Sequence, residues 1–305
     1  MTALAAAAHR SLYLRGCALV LAAGLFWSFT GVLVRSAASS DAWQYLGYRS
    51  IGAALFFYVY SRWQAQGPPI RNFLRLGPLG WLAMVAVLMA SLCYIFALKT
   101  TTVANTLFLA SCAPLVTGVL GWFVLRERLG VVGAAAIAVG LVGVAVMLLG
   151  RTDGATSLFG NLMAFTSACM FALYNVCLRR GVGRDFGPTM YVYALVALAI
   201  CVVALLVTGK TMMPPLHDIG LAIFNGFVFI GIGSALFIRG ARHVPAAGLA
   251  VLSQTEAIFG PIWVALIVGE VPSPLAILGG ALILSAVVVM AVHGSMRLPP
   301  QGAIG

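Results

Sequence analysis

Two charged side chains of opposite sign lie inside apolar stretches of this 305-residue sequence. Arg49 is roughly 10 Å into the stretch 42–61, at 1.5 Å per helical residue, and Glu256 is near the middle of the stretch 245–268. Because a charge in a bilayer costs several kcal/mol unless it is paired or hydrated, we expect Glu256 to pair or to bind a ligand. For Arg49, ligand binding and snorkelling of the long side chain to the headgroups are equal alternatives.

The chemistry that these two charges could perform is recognition of a zwitterion. Either Arg49 and Glu256 pair with each other, or they form the two ends of a ligand site. Ser253, Glu256 and Gly260 are spaced at i, i+3 and i+7, which places them on one stripe of a helix. The polar run that includes Gln254 has few explanations at membrane depth besides a water-filled cavity.

Other polar and aromatic residues inside apolar stretches are further candidates for the same site. Trp27 lies in mid-stretch, where it either stacks on a ligand ring or packs against other helices, whereas the remaining tryptophans, including Trp263, lie near stretch ends as in an interfacial belt. Isolated polar residues in such stretches more often bond neighbouring helices than bind ligands. The complete candidate substrate-binding set is Trp27, Ser28, Tyr45, Arg49, Tyr94, Asn105, Tyr174, Asn175, Asn225, Ser253, Gln254 and Glu256.

The elements that must position these residues are membrane helices. The chain is 62% hydrophobic and 8% charged, against about 25% charged residues in soluble domains. Stretches of about 20 apolar residues, without the ten-residue alternation of a barrel, predict an all-α integral membrane protein. The ten predicted transmembrane helices cover 16–36, 42–61, 79–98, 102–125, 130–149, 157–178, 188–208, 218–239, 245–268 and 274–293.

Basic residues predict the orientation of these helices. If the N-terminus is cytoplasmic, thirteen arginines fall in inner segments and four Lys or Arg residues fall in outer ones. Lys and Arg are enriched in cytoplasmic loops, so we expect both termini to be cytoplasmic in a multi-pass inner-membrane protein. The net charge of +11 then reflects the anionic leaflet rather than nucleic acid as a partner.

Enzyme and cofactor motifs do not account for the sequence. Gly209-Lys210-Thr211 resembles the end of a phosphate-binding loop, but Ala204 occupies the position of its first glycine. The four histidines share no metal-ligand spacing, and all six cysteines lie in apolar stretches without a Cys-x-x-Cys pair. We therefore predict no cofactor, no metal and no catalytic residue.

The sequence repeats itself at an offset of 143 residues. This offset aligns Lys99 with Arg242, and Glu127 with Glu270, whereas Glu256 aligns with the uncharged Ala113. The repeat predicts two domains of five helices each, residues 1–150 and 151–305, inserted with opposite orientations because five is odd. The repeated glutamates, each near the end of a helix, are expected to cap the helix that follows.

The residues of this repeat also resemble a known family. The run Ala97–Asn105, continuing through Pro114 to Arg126–Leu129, and its second copy from Gly240 to Pro272 resemble the repeat of the EamA family in the drug/metabolite transporter superfamily. The resemblance implies ten helices, alternating access, a cavity lined by helices 1–4 and 6–9, and export of amino acids and other small metabolites.

The leading hypothesis is a secondary transporter that exports small metabolites, with amino acids as the first candidates. Arg49 would bind a carboxylate, Glu256 an amine or a coupling proton, and Trp27 and Tyr94 the substrate side chain. One alternative is a transporter of vitamins, nucleosides or hydrophobic drugs. Another is a membrane enzyme acting on lipid phosphates, which would need clustered His, Asp or Glu residues at one membrane face.

Overall fold

The computed structural model describes residues 3–64, 67–125, 131–149, 157–181, 184–244 and 252–296, and all regular structure in these ranges is helical. By length and apolar composition, six of the described stretches could each cross a membrane: Ser11–Ser36, Gly77–Thr100, Val103–Leu120, Leu158–Leu178, Gly187–Thr208 and Leu216–Gly240. Shorter apolar helices cover Val131–Met147, Thr255–Ile267 and Pro274–Met290. The predicted all-helical membrane class is confirmed, and the count of ten spans stays a prediction.

The helices of the first half follow most of the predicted bounds within two residues. An additional short helix, α4, begins at Pro69 in the longest polar interruption between the predicted spans. The helices are α1 (Ala3–Ser28), α2 (Thr30–Ser36), α3 (Ala42–Trp63), α4 (Pro69–Leu74), α5 (Gly77–Thr100), α6 (Val103–Ala110), α7 (Ala113–Leu125) and α8 (Val131–Leu149).

The second half contains one segment of unusual helical geometry. Asn225–Ile232 is a π-helix between two α-helices, and such wide turns occur frequently at functional sites. The elements are α9 (Leu158–Arg180), α10 (Gly187–Thr208), α11 (Leu216–Phe224), the π-segment (Asn225–Ile232), α12 (Gly233–Gly240), α13 (Thr255–Ile267) and α14 (Pro274–Met296).

Three predicted helices are interrupted, and the expectation that each is continuous is therefore wrong. The stretch 16–36 breaks at Phe29, and the stretch 102–125 breaks at Ser111 and Cys112. In the stretch 245–268, α13 begins only at Thr255, so Ser253 lies in a turn and not on the helical stripe predicted for it. Discontinuous helices in membrane transporters typically occur beside a substrate site.

Each interruption has a hydroxyl side chain that bonds back to the chain. Ser28 Oγ donates to the Leu25 carbonyl at 2.7 Å, and Ser111 Oγ and Thr255 Oγ1 each donate at 2.6 Å to the carbonyl three residues before. These bonds compete with the helical backbone ladder. Pro114 adds to the second break because it lacks a backbone N–H.

The helices pack in pairs, with α3 along α10, α5 along α9, and α8 along α14. Several pairs approach closely at glycines. A methyl group on Gly143 would lie 2.7 Å from the Gly279 carbonyl, and one on Gly226 would lie 2.9 Å from the Ala53 backbone nitrogen. The second contact fixes α3, which carries Arg49, directly against the π-segment.

Candidate functional site

Arg49 is buried in the helix bundle with only 3% of its surface exposed. Its Nη2 donates a hydrogen bond to Ser91 Oγ on α5, and its Nε has no hydrogen-bond partner. Among the described residues, no carboxylate lies within ion-pair distance of it. The snorkelling alternative is therefore wrong, and an unpaired buried guanidinium is a strong candidate for binding an anionic group.

Glu256 occupies the first turn of α13 and faces the same helix, α5. Tyr94 OH donates a hydrogen bond of 2.6 Å to Glu256 Oε1. The hypothesis that Glu256 pairs directly with Arg49 is wrong, since no such ion pair occurs. Instead, Ser91 and Tyr94, three residues apart on one face of α5, hold the cation and the acid as neighbours.

Three side chains of this cluster are not fully buried. Ser91, Tyr94 and Glu256 are only half-buried, although Glu256 contacts α5 across the bundle. Together with Arg49, they form a polar cluster along α5, in which Ser91 bonds the cationic group and Tyr94 bonds the acidic group.

A cluster of aromatic side chains lies near the contact between α1 and the start of α13. A methyl group on Gly24 would lie 3.4 Å from the Glu256 backbone nitrogen, so α1 contacts the start of α13 there. Trp27 follows Gly24 by three residues on the same face. Its ring centroid lies 5.2 Å from that of Phe237 and 6.4 Å from that of Phe171. The three rings form an apolar cluster that begins one helical turn after the contact between α1 and the start of α13.

Ser28 and Trp263 link the break in α1 to α13. Trp263 Nε1 donates to Ser28 Oγ at 3.1 Å, and the Trp263 ring stacks on Phe29 with centroids 5.2 Å apart. Phe29 also stacks on Phe229 of the π-segment at 5.4 Å. The expectation that Trp263 belongs to an interfacial belt is therefore corrected, because its indole nitrogen holds an interhelical contact.

A second polar cluster connects the other side of Arg49 to the π-segment. Asn225 is fully buried and donates from Nδ2 to Tyr45 OH at 2.8 Å. Thr30 Oγ1, just after the break in α1, donates to Asn225 Oδ1 at 3.3 Å. Tyr45 lies one turn before Arg49 on α3. This cluster positions the three elements around Arg49 and leaves its own polar groups bonded.

Of the remaining predicted site residues, Asn105 lies on α6, and Tyr174 and Asn175 lie on α9. Asn105 Nδ2 donates to Asn161 at 3.3 Å, and Tyr174 OH contacts the Met190 sulfur at 3.7 Å. Asn175 is half-buried. Both Ser253 and Gln254 lie in the turn before α13, with Gln254 buried. Asn105 and Tyr174 thus match the helix-packing alternative.

A network that the sequence did not predict lies where α3 begins, and we call this end of the molecule the Asp41 face. Arg35 Nε and Glu270 Oε2 form an ion pair at 2.7 Å, and Glu270 Oε1 accepts the Val103 backbone N–H at 2.6 Å. Glu270 therefore caps α6 of the other half, not the helix that follows it, and that prediction is wrong. Its sequence counterpart, Glu127, lies outside the described residues.

The same face contains two further links between the halves. Asp218 accepts the Ser40 backbone N–H at 2.7 Å and is 4% exposed, and Lys210 Nζ pairs with Asp41 at 2.8 Å. Burial alone would raise the pKa of Asp41. Hydrogen bonds from Lys210 and from the backbone of Gln44 outweigh that effect, so the pKa of Asp41 lies below its ordinary value of 3.8.

Lys99 extends this network towards the interior. Its Nζ donates to the Ala37 carbonyl at 2.5 Å and lies 5.4 Å from the Tyr45 ring centroid. Asp218 and Lys99 were missed because both lie close to the ends of predicted helices, where charged residues are common. In the described part of the chain, no three His, Cys, Asp or Glu side chains come together as a metal site would require.

Comparison with known proteins finds one family over nearly the whole chain. Residues 14–149 and 158–292 each match the model of the EamA-like transporter family. A protein of known crystal structure, 20% identical, superposes on 92% of this chain and 98% of its own with a TM-score of 0.68. At that identity, the superposition supports the fold alone.

Similar proteins of known name are transporters. The chain is 25% identical to the uncharacterized transporter YwfM of Bacillus subtilis over 89% of its length and 92% of the relative's. It is 24% identical to the pseudopaline exporter CntI of Pseudomonas aeruginosa, covering 90% of this chain and 95% of that one. Mouse solute carrier family 35 member G1 is 25% identical over 68% of this chain and 59% of its own.

Proposed function

The chain belongs to the EamA-like transporter family, and on that premise we propose that it exports small zwitterionic metabolites, with amino acids as the first candidates. The observation that carries this proposal is the pair of opposite charges, Arg49 of α3 and Glu256 of α13, that bond to one face of α5. Arg49 is bonded to Ser91 without an acidic partner, and Glu256 is bonded to Tyr94 one turn further. A compact molecule with a carboxylate and an ammonium group satisfies both charges at once.

The proposed role of each residue follows from its unused bonding capacity. Arg49 has an unbonded Nε and would bind the substrate carboxylate through charge-assisted hydrogen bonds. Glu256 has one oxygen engaged by Tyr94 and would bind the ammonium group or a coupling proton. Trp27 and the rings around it would contact the substrate side chain, which favours amino acids with apolar side chains.

Alternating access between two inverted halves would expose this site to each side in turn. The helix pairing supports the inverted repeat, because α5 packs along α9 as α12 packs along α1. The interrupted helices also support the inverted repeat. The offset of 143 residues aligns Ser111 with Gln254, and each of these residues lies in a helix interruption. Under this proposal, the present structure is closed at the Asp41 face by the ion pairs between the halves.

The direction and the membrane are proposed on separate grounds. The relative named as a pseudopaline exporter supports export. Basic residues such as Arg62, Arg71 and Arg184 lie at the end of the bundle opposite the Asp41 face, which supports a cytoplasmic location for that end and for both termini. An inner-membrane location follows from the same asymmetry.

Counterflow of radiolabelled solutes into proteoliposomes tests the proposal. The panel should contain neutral amino acids, acidic and basic amino acids, a nucleoside and a vitamin. We expect counterflow of neutral amino acids, strongest for those with apolar side chains. Repeating the assay with an imposed pH gradient, at equal membrane potential, tests whether protons are coupled.

A variant with impaired transport makes the result interpretable. The Arg49→Gln protein should be reconstituted at the same density and orientation as the wild type. Counterflow of a nucleoside or vitamin, with none for any amino acid, would exclude the proposed substrate class while retaining a transporter. Amino-acid counterflow that is equal in Arg49→Gln would remove Arg49 from the site.

A further inference from the structure

A groove opens on the outer surface of the bundle, between the end of α3 and the region Ile232–Arg239. Its volume is about 240 Å³. One wall is formed by Phe56, Val59 and Trp63 of α3, and the other by Ile232, Leu236 and Arg239. Val59 and Trp63 are 50% and 76% exposed, so the groove faces the surroundings of the protein and not its interior.

The packing of α3 explains why the groove exists. The two elements touch backbone to backbone at Gly52, where an added methyl group would lie 2.8 Å from the Phe227 nitrogen. One turn later Phe56 and Phe227 meet edge to face with centroids 5.5 Å apart, and these rings separate the elements. The helices therefore diverge towards the end of α12, and the space between them is apolar and narrow at its inner end.

The wide end of the groove is basic. The Arg239 guanidinium lies over the Tyr60 ring at 5.2 Å, and no carboxylate of the described residues is within ion-pair distance of it. Arg242 follows three residues later with 57% of its side chain exposed, and its contact with Asp185 is long, at 3.7 Å. Arg239 is thus a cation without an acidic partner among the described residues at the edge of an apolar groove.

We propose that this groove is a binding site for one anionic phospholipid, with an acyl chain between α3 and α12 and the phosphate at Arg239. An acyl chain is the expected occupant, because an apolar groove that faces the membrane is in contact with lipid tails. The headgroup follows from charge complementarity, because an arginine near the membrane surface attracts anionic lipid. This site is separate from the central site and does not depend on the transported substrate.

Native mass spectrometry of the purified protein tests the proposal directly. Dioleoyl phosphatidylglycerol and dioleoyl phosphatidylcholine are titrated separately, and the affinity of the most tightly bound lipid is compared. We expect phosphatidylglycerol to bind more tightly in the wild type. In Arg239→Gln its affinity should fall by about fivefold, the effect of one basic residue near the surface, and phosphatidylcholine should be unaffected.

Two further variants separate the groove from general basic charge. Arg71→Gln removes an exposed arginine of α4 that does not line the groove, and it should retain the wild-type preference. Val59→Trp places a larger side chain in the groove and should weaken the binding of both lipids. Its melting temperature in lipid-free detergent confirms that the variant is folded. Equal losses in Arg71→Gln and Arg239→Gln would overturn the proposal.

Inorganic phosphate distinguishes a lipid from a free anion. Phosphate in large excess over lipid should neither displace phosphatidylglycerol nor reproduce the rise in melting temperature that this lipid causes. If phosphate alone gives the full rise, and Arg239→Gln abolishes it, the site binds free anions and the lipid proposal is wrong.

Discussion

Charged residues occur in two regions of this molecule, and they are bonded differently in each. At the Asp41 face, Arg35 has Glu270 as its partner, and Lys210 has Asp41. In the bundle centre, Arg49 has a hydroxyl partner only, and Glu256 receives one hydrogen bond from a tyrosine. Both regions connect the two halves, but among the described residues only the central one has a fully buried cation without an acid, since Lys99 near the Asp41 face is half-buried.

This difference separates residues that hold the structure from residues that are available to a ligand. A buried charge without a partner destabilises the fold, so it persists where function requires it. A paired charge between the halves stabilises the state in which the halves are close. Substitutions in the centre should therefore weaken transport without lowering stability, whereas those at the Asp41 face should lower stability first.

The largest effect is expected for Arg49→Gln. Loss of a charged hydrogen-bond donor to a substrate carboxylate costs about 1.5–3 kcal/mol, which corresponds to a fall in kcat/KM of about 10- to 100-fold. The melting temperature should be unchanged or higher, because an unpaired buried charge is removed. Counterflow and thermal unfolding measured on the same preparation check both parts, with Arg62→Gln as the exposed control.

Glu270→Ala should have the next largest effect, which is a loss of stability. It leaves Arg35 without its ion pair and the Val103 N–H without its acceptor, for a combined loss of about 2 kcal/mol in the free energy of unfolding. A lower melting temperature with an unchanged KM for substrate is the expected result. A changed KM at constant melting temperature would place Glu270 in the ligand site and contradict the distinction between the two regions.

Asp218→Asn should destabilise the protein less than Glu270→Ala does, because the amide oxygen of the new side chain still accepts the Ser40 N–H. The difference between a hydrogen bond to a charged and to a neutral acceptor is about 1 kcal/mol. The melting temperature should fall by less than in Glu270→Ala. Asp185→Asn weakens the long 3.7 Å contact with Arg242 at the other end of the bundle and leaves an amide oxygen to accept the Gly187 N–H, so it is the matched control and should show a smaller change.

The smallest effect is expected for the exposed pair Asp41–Lys210, whose side chains are 28% and 52% exposed. Such pairs contribute at most about 1 kcal/mol. Because the pKa of Asp41 is lowered in the folded protein, its contribution is complete above the ordinary value of 3.8 and is lost as the pH falls below that value. The melting-temperature difference between wild type and Lys210→Ala should therefore be constant from pH 5 to 8 and shrink below about pH 4.

The central site could be predicted in part because charges inside apolar stretches are rare. Arg49 and Glu256 are conspicuous for that reason alone, and Tyr94 was among the polar candidates. Ser91 could not be singled out, because one serine in a long apolar helix gives no periodic signal. Its role depends on where α3 and α5 cross, which is a property of tertiary packing.

The fold was predicted where length and apolar composition decide it, and missed where local bonds compete with the helix. The bounds of α3 and α10 differ from the predicted ones by two residues or fewer. The break at Phe29 was missed because residues 25–30 contain no proline or glycine. The bond from Ser28 to Leu25 competes there with the helical backbone bonds. The partner of Glu270 was missed because proximity in sequence favours the next helix, whereas the structure supplies α6 from the other half.

The central claim is that Arg49 and Glu256 recognise the two charges of a zwitterion. Counterflow of a labelled neutral amino acid should be inhibited in the wild type by the free amino acid, but weakly by its amide and by its N-acetyl derivative. In Arg49→Gln the amide should inhibit as well as the free amino acid, and in Glu256→Gln the N-acetyl derivative should do so. If both variants keep the wild-type order of inhibitors, these residues do not read the charges and the account is contradicted.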